Sequence, residues 1–266
     1  LSDSVSIGNI KNATLVAKAE LSKYAKVRDF GTLGIIGEIN KGAKRTLLLD
    51  AHIDEVGFVV TSVFQDGFVK VSGVGGIDPR FLPATPVVIH GKEDVSAIFV
   101  STPPHLSKGE KEVKEVNEIY LDTGIRENLN QKINPGDFCT FSKKSERLQS
   151  SEFMGKALDD RSAVACLIEV ASRVYDKDLP FNLIFAFCEN EELGMRGAKT
   201  SSFVLEADEA IAIDVSFGDA PDVPDVKSGK LGDGAMIGVS PVLDKKITNK
   251  LISCAKDKNI PYQLEV

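Results

Sequence analysis

The sequence has 266 residues, of which 42% are hydrophobic and 27% are charged, so it can bury a substantial core and is neither disordered nor collagen-like. Its formal net charge of −7 argues against a nucleic-acid-binding surface, which needs clustered lysine and arginine side chains. No apolar run in the sequence reaches the roughly 18 residues that a membrane span requires, so we expect a soluble protein without a membrane partner. The cysteines considered below favour the cytoplasm as its compartment.

The first half of the chain predicts two strands followed by a β-rich segment. The apolar runs LGIIGEI at 33–39 and TLLLDAH at 46–52 have the length and composition of buried strands. From residue 58 to 150, short β-rich pieces alternate with turn signals, and no long helical period occurs. We therefore expect 58–150 to be a largely β domain inserted into a catalytic α/β domain of residues 1–57 and 151–266.

The second half alternates between strand and helix signals. NLIFAFC at 182–188 and EAIAID at 209–214 predict strands, whereas RSAVACLIEVASRVY at 161–175 and DKKITNKLISCAK at 244–256 have a helical period. Such alternation predicts an α/β fold with a mixed, largely parallel sheet flanked by helices. Sheets of this kind bind ligands at the carboxyl ends of their strands.

The four cysteines are far apart and have none of the spacings of a metal or redox motif. We interpret Cys139, Cys166, Cys188 and Cys254 as reduced and mostly buried residues. Two disulfides of a secreted protein are the alternative reading of an even number of cysteines.

His52 and Asp54 lie at the end of a predicted strand, two residues apart, so both side chains leave the same side of an extended backbone. The imidazole of His52 can bind a metal while Asp54 accepts a hydrogen bond from the other ring nitrogen and orients the ring. A strand-end histidine beside a solvated aspartate is the alternative.

Two acidic pairs follow later in the chain. In KALDDR, Asp159 is a candidate metal ligand, although it could instead cap the following helix, a role for which Asp160 is better suited if both roles are filled. Glu191 and Glu192 leave the strand that ends at Cys188, so one carboxylate can coordinate metal while its neighbour takes a proton from water. A solvated acidic pair is the alternative here.

Asp214 ends the last of these strands, where a buried charge needs a metal, a salt bridge or a helix cap. His52, Asp159, Glu192 and Asp214 thus each follow a different predicted strand or strand-to-helix junction, and they could converge on one edge. Their nitrogen and oxygen donors suit zinc, cobalt or manganese. Two divalent ions would be nearly balanced by the three carboxylates and one hydroxide, which favours a two-metal site.

In order, the motifs AHIDEVGF, GVGGIDPR, STPPHL, KALDDR, NEELGMRGA and AIDVS resemble those of the glutamyl, or tetrahedral, aminopeptidase family of metallo-exopeptidases. The resemblance spans most of the chain. It implies that Asp159 bridges two metal ions. His52 and Asp214 would then complete the ligands of one ion, and Glu192 would bind the other.

The resemblance further implies that Glu191 is the general base, that Asp54 orients His52, and that the inserted β segment mediates dimerisation. Since the family forms tetrahedral dodecamers built from dimers, we expect a homo-oligomer. Family members continue past NIPYQLEV, and the last ligand of the second metal is a histidine in that continuation. Neither His90 nor His105, which we expect at the surface or an interface, matches it. If the protein itself lacks this continuation, we expect weak occupancy of the second site and poor activity.

We therefore expect an aminopeptidase that removes N-terminal residues from peptides by means of a two-metal activated water, with Glu191 moving the proton. One alternative is a two-metal deacylase or carboxypeptidase with the same ligands. Its relatives carry their insertion later, whereas here it falls between the first and second metal motifs. The other alternative is a catalytically inactive assembly subunit of the same fold.

Overall fold

The computed structural model describes residues 1–106, 113–150, 152–224 and 227–266. These residues form two compact units, Leu1–Asp214 and Val215–Val266. The predicted site residues all belong to the first unit.

The first unit combines strands and helices with short 3-10 turns at Gly31–Leu33, Pro79–Phe81, Pro104–Leu106, Val116–Glu118 and Leu129–Gln131. Its strands and helices, in chain order, are β1 (Ser6–Ile7), β2 (Ile10–Lys11), α1 (Asn12–Leu21), β3 (Lys26–Asp29), β4 (Gly34–Ile39), β5 (Thr46–His52), β6 (Gly57–Val63), β7 (Phe68–Val74), β8 (Pro86–His90), β9 (Asp94–Val100), β10 (Tyr120–Asp122), β11 (Phe138–Phe141), β12 (Glu146–Arg147), β13 (Phe153–Met154), α2 (Leu158–Val174), β14 (Asn182–Cys188), α3 (Arg196–Leu205) and β15 (Glu209–Ala212).

A five-stranded sheet in the order β15-β5-β14-β4-β3 forms the centre of the α/β part. β5 pairs in parallel with β14 and β15, whereas β4 and β3 extend the sheet antiparallel, so the predicted mixed sheet is confirmed. In this register His52 lies opposite Cys188, and Asp50 lies opposite Ala212. The carboxyl ends of three strands therefore meet at one edge of the sheet.

Both faces of this sheet are covered, which explains why its central strands are almost continuously apolar. On one face, α1 and α2 pack against Phe185 and Phe187. The buried side of α2 carries Val164, Leu167 and Ala171, which recur at helical spacing as predicted. On the other face, α3 packs against a smaller apolar cluster around β14.

The β-rich segment contains a closed antiparallel barrel in the strand order β10-β7-β6-β11-β8-β9. Alternate residues point inward, as in β9, where Val95, Ala97 and Phe99 are buried and the residues between them are more exposed. Closure leaves no unpaired sheet edge. The predicted mostly-β segment is thus a barrel filled by its own side chains.

The second unit contains β16 (Ala235–Gly238), α4 (Lys245–Asp257) and β17 (Tyr262–Glu265), with β16 and β17 paired in parallel. The Asp244 carboxylate caps α4 by accepting hydrogen bonds from the backbone N–H groups of Lys246 and Ile247. No helix within the described ranges of the chain is both long and apolar enough to cross a membrane.

The four cysteines are free. Cys139 and Cys188 are buried, in agreement with the prediction, whereas Cys166 and Cys254 are exposed. The prediction of mostly buried thiols is therefore correct for Cys139 and Cys188 only. Cys166 and Cys254 lie on the exposed sides of their helices.

Candidate metal centre and active site

The site lies where three neighbouring strands of the central sheet end. His52 is the last residue of β5, and Glu191 and Glu192 follow β14, its parallel neighbour. Asp214 follows β15, the other neighbour of β5. This arrangement brings together residues that are distant in the sequence at the sheet edge where α/β proteins bind ligands.

The imidazole of His52 is at the centre of the site and is only 4% exposed. Its Nε2 atom lies 2.8 Å from Asp159 Oδ1 and 4.0 Å from Asp214 Oδ1, while Nδ1 lies 3.6 Å from Asp54 Oδ1. Burial acts to lower the pKa of His52, but the carboxylates of Asp159 and Asp54 outweigh it and raise the pKa to about 11. Without a metal the ring therefore holds a proton that a cation would have to displace.

Asp54 connects this ring to the loop after β14. Its side chain is buried, and its two oxygens accept hydrogen bonds from the backbone N–H groups of Glu191 at 3.1 Å and Glu192 at 3.3 Å. One carboxylate thus faces His52 and also holds the backbone that carries the acidic pair.

Two groups of side chains are arranged closely enough to hold a cation: His52 with Asp160 and Asp214, and His52 with Glu191 and Glu192. Within each group one ligand atom per residue lies within 4.8 Å of the others. The fold therefore brings Glu191, Glu192 and Asp214 close to His52.

Asp160 joins the first of these groups, which sequence reasoning did not foresee because it assigned this residue to helix capping. Asp160 is fully buried, and neither of its carboxylate oxygens has a hydrogen-bond partner among the described residues. Asp159 has a more exposed side chain and belongs to neither group, but it makes the short contact to His52 Nε2. The two consecutive aspartates therefore both lie close to the same imidazole.

The acidic side chains of the site raise one another's pKa values. Burial, and after it the charge of Asp159, raises the pKa of Glu192 to about 7. Burial, and after it the charge of Asp214, raises the pKa of Asp160 to about 7. Burial also raises the pKa of Glu191. A divalent cation would relieve this repulsion and would satisfy the unpaired Asp160 oxygens, so the donor set fits a metal ion.

A cavity of about 630 Å³ opens beside the acidic pair. Its lining includes Asp159 and Glu192 of the site and Pro86 and Phe141 of the barrel. Its remaining lining includes Val56, Met154 and the two lysines Lys143 and Lys156. The cavity can hold a side chain or a short peptide next to the candidate ligands.

The remaining two histidines are not part of this site. His90 is largely buried in the barrel region, where Nε2 lies 2.9 Å from Thr140 Oγ1 and Nδ1 lies 2.9 Å from Asp94 Oδ1. His105 is exposed, as predicted. The ring of His90 thus bridges two barrel strands, and the expectation that it lies at the surface or an interface stays a prediction.

Comparisons with known proteins identify a family and several structures to which this chain is similar. A model of the M42 glutamyl aminopeptidase family matches residues 34–266. The lysyl aminopeptidase of Pyrococcus furiosus is 28% identical over 232 residues, which cover 85% of this chain and 66% of that protein. This chain therefore spans about two thirds of the length of that relative.

Two solved structures share the fold over almost the whole chain. The TET aminopeptidase of a marine sediment archaeon of the Thaumarchaeota has a TM-score of 0.91 and 26% identity, covering 99% of this chain and 78% of that one. The TET1 peptidase of Pyrococcus horikoshii, which can assemble into a tetrahedron or a large octahedral shell, has a TM-score of 0.84 and 29% identity, covering 99% and 80%.

Proposed function

The chain belongs to the M42 glutamyl aminopeptidase family, and from this premise we propose that it is a metal-dependent aminopeptidase that removes N-terminal residues from peptides. The observation that carries this proposal is the cluster of His52 with several carboxylates, at the end of a sheet and beside a cavity. Such a donor set beside a peptide-sized space suits metal-assisted hydrolysis.

The proposed metal ligands are His52, Asp159, Glu192 and Asp214, and they would hold two divalent ions, zinc or cobalt, with manganese as an alternative. The raised carboxyl pKa values around His52 support a cation at this position. Bound ions supply positive charge that polarises the scissile carbonyl and lowers the pKa of the attacking water.

Glu191 is the proposed general base. Its carboxylate lies next to Glu192 in the group around His52, and burial raises its pKa above the usual value of a glutamate. A base whose pKa lies closer to the working pH transfers protons more efficiently in both directions. Glu191 would take the proton from the attacking water and give it to the leaving amine.

Asp54 is the proposed orienting residue. It lies near His52 Nδ1, so it favours the ring orientation in which Nε2 faces the other ligands. Its hydrogen bonds from the backbone of Glu191 and Glu192 keep base and ligand at a constant distance from the imidazole.

The substrate would bind in the cavity beside Asp159 and Glu192. These two carboxylates line the cavity and can attract the free ammonium group of a peptide. Val56, Phe141 and Met154 provide apolar contacts for the first side chain.

A matched pair of substrates tests this function. Leucine p-nitroanilide and its N-acetyl derivative differ only in the free amine, and each is incubated with the Co²⁺-loaded protein before and after chelation by EDTA. We expect hydrolysis of the free-amine substrate alone, and loss of that hydrolysis with EDTA. Release of acetate, rather than of p-nitroaniline, from the acetylated substrate would instead indicate a deacylase. Bound metal without hydrolysis of any aminoacyl or peptide substrate would indicate a catalytically inactive subunit.

We also propose that the chain assembles as a homo-oligomer built from dimers, with residues 58–150 as the inserted dimerisation domain and residues 1–57 and 151–266 as the catalytic domain. The assemblies formed by the TET1 peptidase of Pyrococcus horikoshii support this proposal. Light scattering coupled to gel filtration measures the mass directly, and a monomer at micromolar concentration would contradict the proposed oligomer.

The four free cysteines support a reducing compartment, and we propose the cytoplasm.

A further inference from the structure

A buried cluster of charged residues, Glu55, Lys156 and Arg161, belongs to the same two segments as His52, Asp54, Asp159 and Asp160 of the candidate metal centre. Glu55 Oε2 lies 2.6 Å from Lys156 Nζ, and Glu55 Oε1 lies 2.8 Å from Arg161 Nη2. The three side chains are between 1% and 9% exposed. Sequence reasoning assigned no role to any of them.

Arg161 connects the two segments that carry the site residues. It follows Asp160 at the start of α2, and its Nε donates to the carbonyl oxygen of Ile53 at 3.1 Å. Ile53 is the residue between His52 and Asp54. Every guanidinium nitrogen of Arg161 has an acceptor, because Nη1 donates to carbonyl oxygens of the N-terminal segment and Nη2 donates to Glu55.

Glu55 and Lys156 make a second connection between the same segments. Glu55 follows Asp54, whereas Lys156 precedes the two aspartates of α2. The backbone N–H of Ser6 also donates to Glu55 Oε1, and Lys156 Nζ donates to the Ser4 carbonyl oxygen at 3.1 Å. The strand end that bears His52 and the helix start that bears Asp159 and Asp160 are thus joined by charged hydrogen bonds.

From these contacts we infer that Glu55 and Arg161 are positioning residues of the metal centre, which hold His52 and Asp54 at the correct distance from Asp159 and Asp160. This inference rests on the proposed metal-dependent function. Asp159 and Asp160 have non-helical backbone angles, so regular helical hydrogen bonding does not determine where their side chains lie. The Glu55 cluster supplies the missing constraint.

The chemistry of the cluster favours positioning over a general gain in stability. Burying an ion pair costs desolvation that its attraction often fails to offset, so such a cluster is weak evidence for stability. The planar guanidinium of Arg161 can satisfy several acceptors in a fixed geometry, which a lysine ammonium cannot reproduce. Residues that orient metal ligands in this manner affect metal affinity strongly.

The test uses Arg161→Lys and Glu55→Gln in the full chain, with Arg45→Lys as a matched control. Arg45 pairs with Glu209 at the opposite end of β5 and β15, away from the site. The readouts are Co²⁺ affinity by competition with a chelating dye, the visible absorption spectrum of bound Co²⁺, and kcat and KM for leucine p-nitroanilide.

We expect both variants to fold and to bind Co²⁺ about 10- to 100-fold more weakly than wild type, with an altered Co²⁺ spectrum and a lower kcat at similar KM. The Arg45→Lys control should match wild type in all readouts. A merely structural role would lower the melting temperature but leave the affinity and the spectrum of the folded protein unchanged.

Folded variants with wild-type Co²⁺ affinity and spectrum would overturn the inference while leaving the proposed function intact. If Arg161→Lys does not fold, Glu55→Gln decides, because the amide keeps the shape of the carboxylate and one oxygen that can accept from Arg161 and Ser6. Failure of both variants to fold, even with Co²⁺, would assign the cluster to the fold rather than to the metal centre. Wild-type protein without saturable Co²⁺ binding would overturn both this inference and the proposed metal-dependent function.

Discussion

Asp54→Asn tests the orienting role of Asp54 with a side chain of the same shape that carries no charge. The carboxylate accepts one hydrogen bond on each oxygen, from the backbone N–H groups of Glu191 and Glu192. Asparagine retains one oxygen but presents its NH₂ group to the second backbone N–H. One of the two hydrogen bonds is therefore lost, and the side chain can no longer stabilise a proton on His52 Nδ1.

The size of the effect follows from these contacts. An unsatisfied buried donor costs about 1–3 kcal/mol, and we expect the lower half of this range because the lost bond is only partly buried. In a chain of this size 1 kcal/mol corresponds to about 2–4 °C, so the melting temperature should fall by roughly 2–8 °C. Loss of the orienting carboxylate should weaken Co²⁺ binding by about 10- to 100-fold.

Differential scanning calorimetry and Co²⁺ titration measure the two effects separately. Asp137→Asn is the matched control, because Asp137 also accepts a hydrogen bond from a backbone N–H group, that of Asn134, but in a turn of the barrel region. The control should lose stability without losing Co²⁺ affinity. Asp54→Asn protein with wild-type Co²⁺ affinity and kcat would refute the orienting role.

Two further predictions concern the base and the metal. Glu191→Gln should lower kcat for leucine p-nitroanilide by about 100- to 10,000-fold while Co²⁺ binding stays close to wild type, and Glu38→Gln on β4 should leave kcat unchanged. An unchanged kcat in Glu191→Gln would contradict its role as base. Co²⁺ at 100 times its Kd should raise the free energy of unfolding by about 2.7 kcal/mol, and EDTA should reverse this. A melting temperature that does not respond to Co²⁺ would contradict the metal centre.

The central strands could be predicted from the sequence because their signal is local. β5 and β14 were predicted with the bounds that the structure has, since each is a short run made up mostly of apolar residues. β15 ends at Ala212, two residues before the predicted end, because pairing with β5 stops there. A run of apolar residues indicates that a segment is buried. Where the strand ends, however, depends on how far it pairs with its neighbouring strand.

α1 was not predicted because its buried face consists mainly of small residues. Ala13, Thr14 and Ala17 pack into the core, whereas the larger Leu15 and Val16 are exposed. A hydrophobic period is therefore almost absent from this helix, and only the close approach of α1 to the sheet makes alanine the right size at these positions.

In the candidate site, too, the residues with a local sequence signal could be predicted and the others could not. His52, the acidic pair and Asp214 could be predicted because each ends an apolar strand, and strand ends of a parallel sheet meet at one edge. The partners of Glu55 and Arg161 could not be predicted in this manner, because a buried ion pair between distant segments leaves no local pattern. Their presence inside the motifs AHIDEVGF and KALDDR was the only available signal.

Asp160 gives the last test, because its environment makes it sensitive to pH. It is fully buried without a hydrogen-bond partner in the described part of the chain, and burial together with the charge of Asp214 raises its pKa to about 7. As the pH rises from about 4 to about 7, the unfolded chain ionises this carboxyl group before the folded metal-free protein does, so folding stability is lost across this window. Asparagine does not titrate, so between pH 5 and pH 8 the melting temperature of metal-free Asp160→Asn should fall less than that of wild type. The melting temperature of Asp137→Asn should fall by as much as that of wild type. Equal losses for Asp160→Asn and wild type would mean that Asp160 ionises freely in the folded protein and does not need a cation.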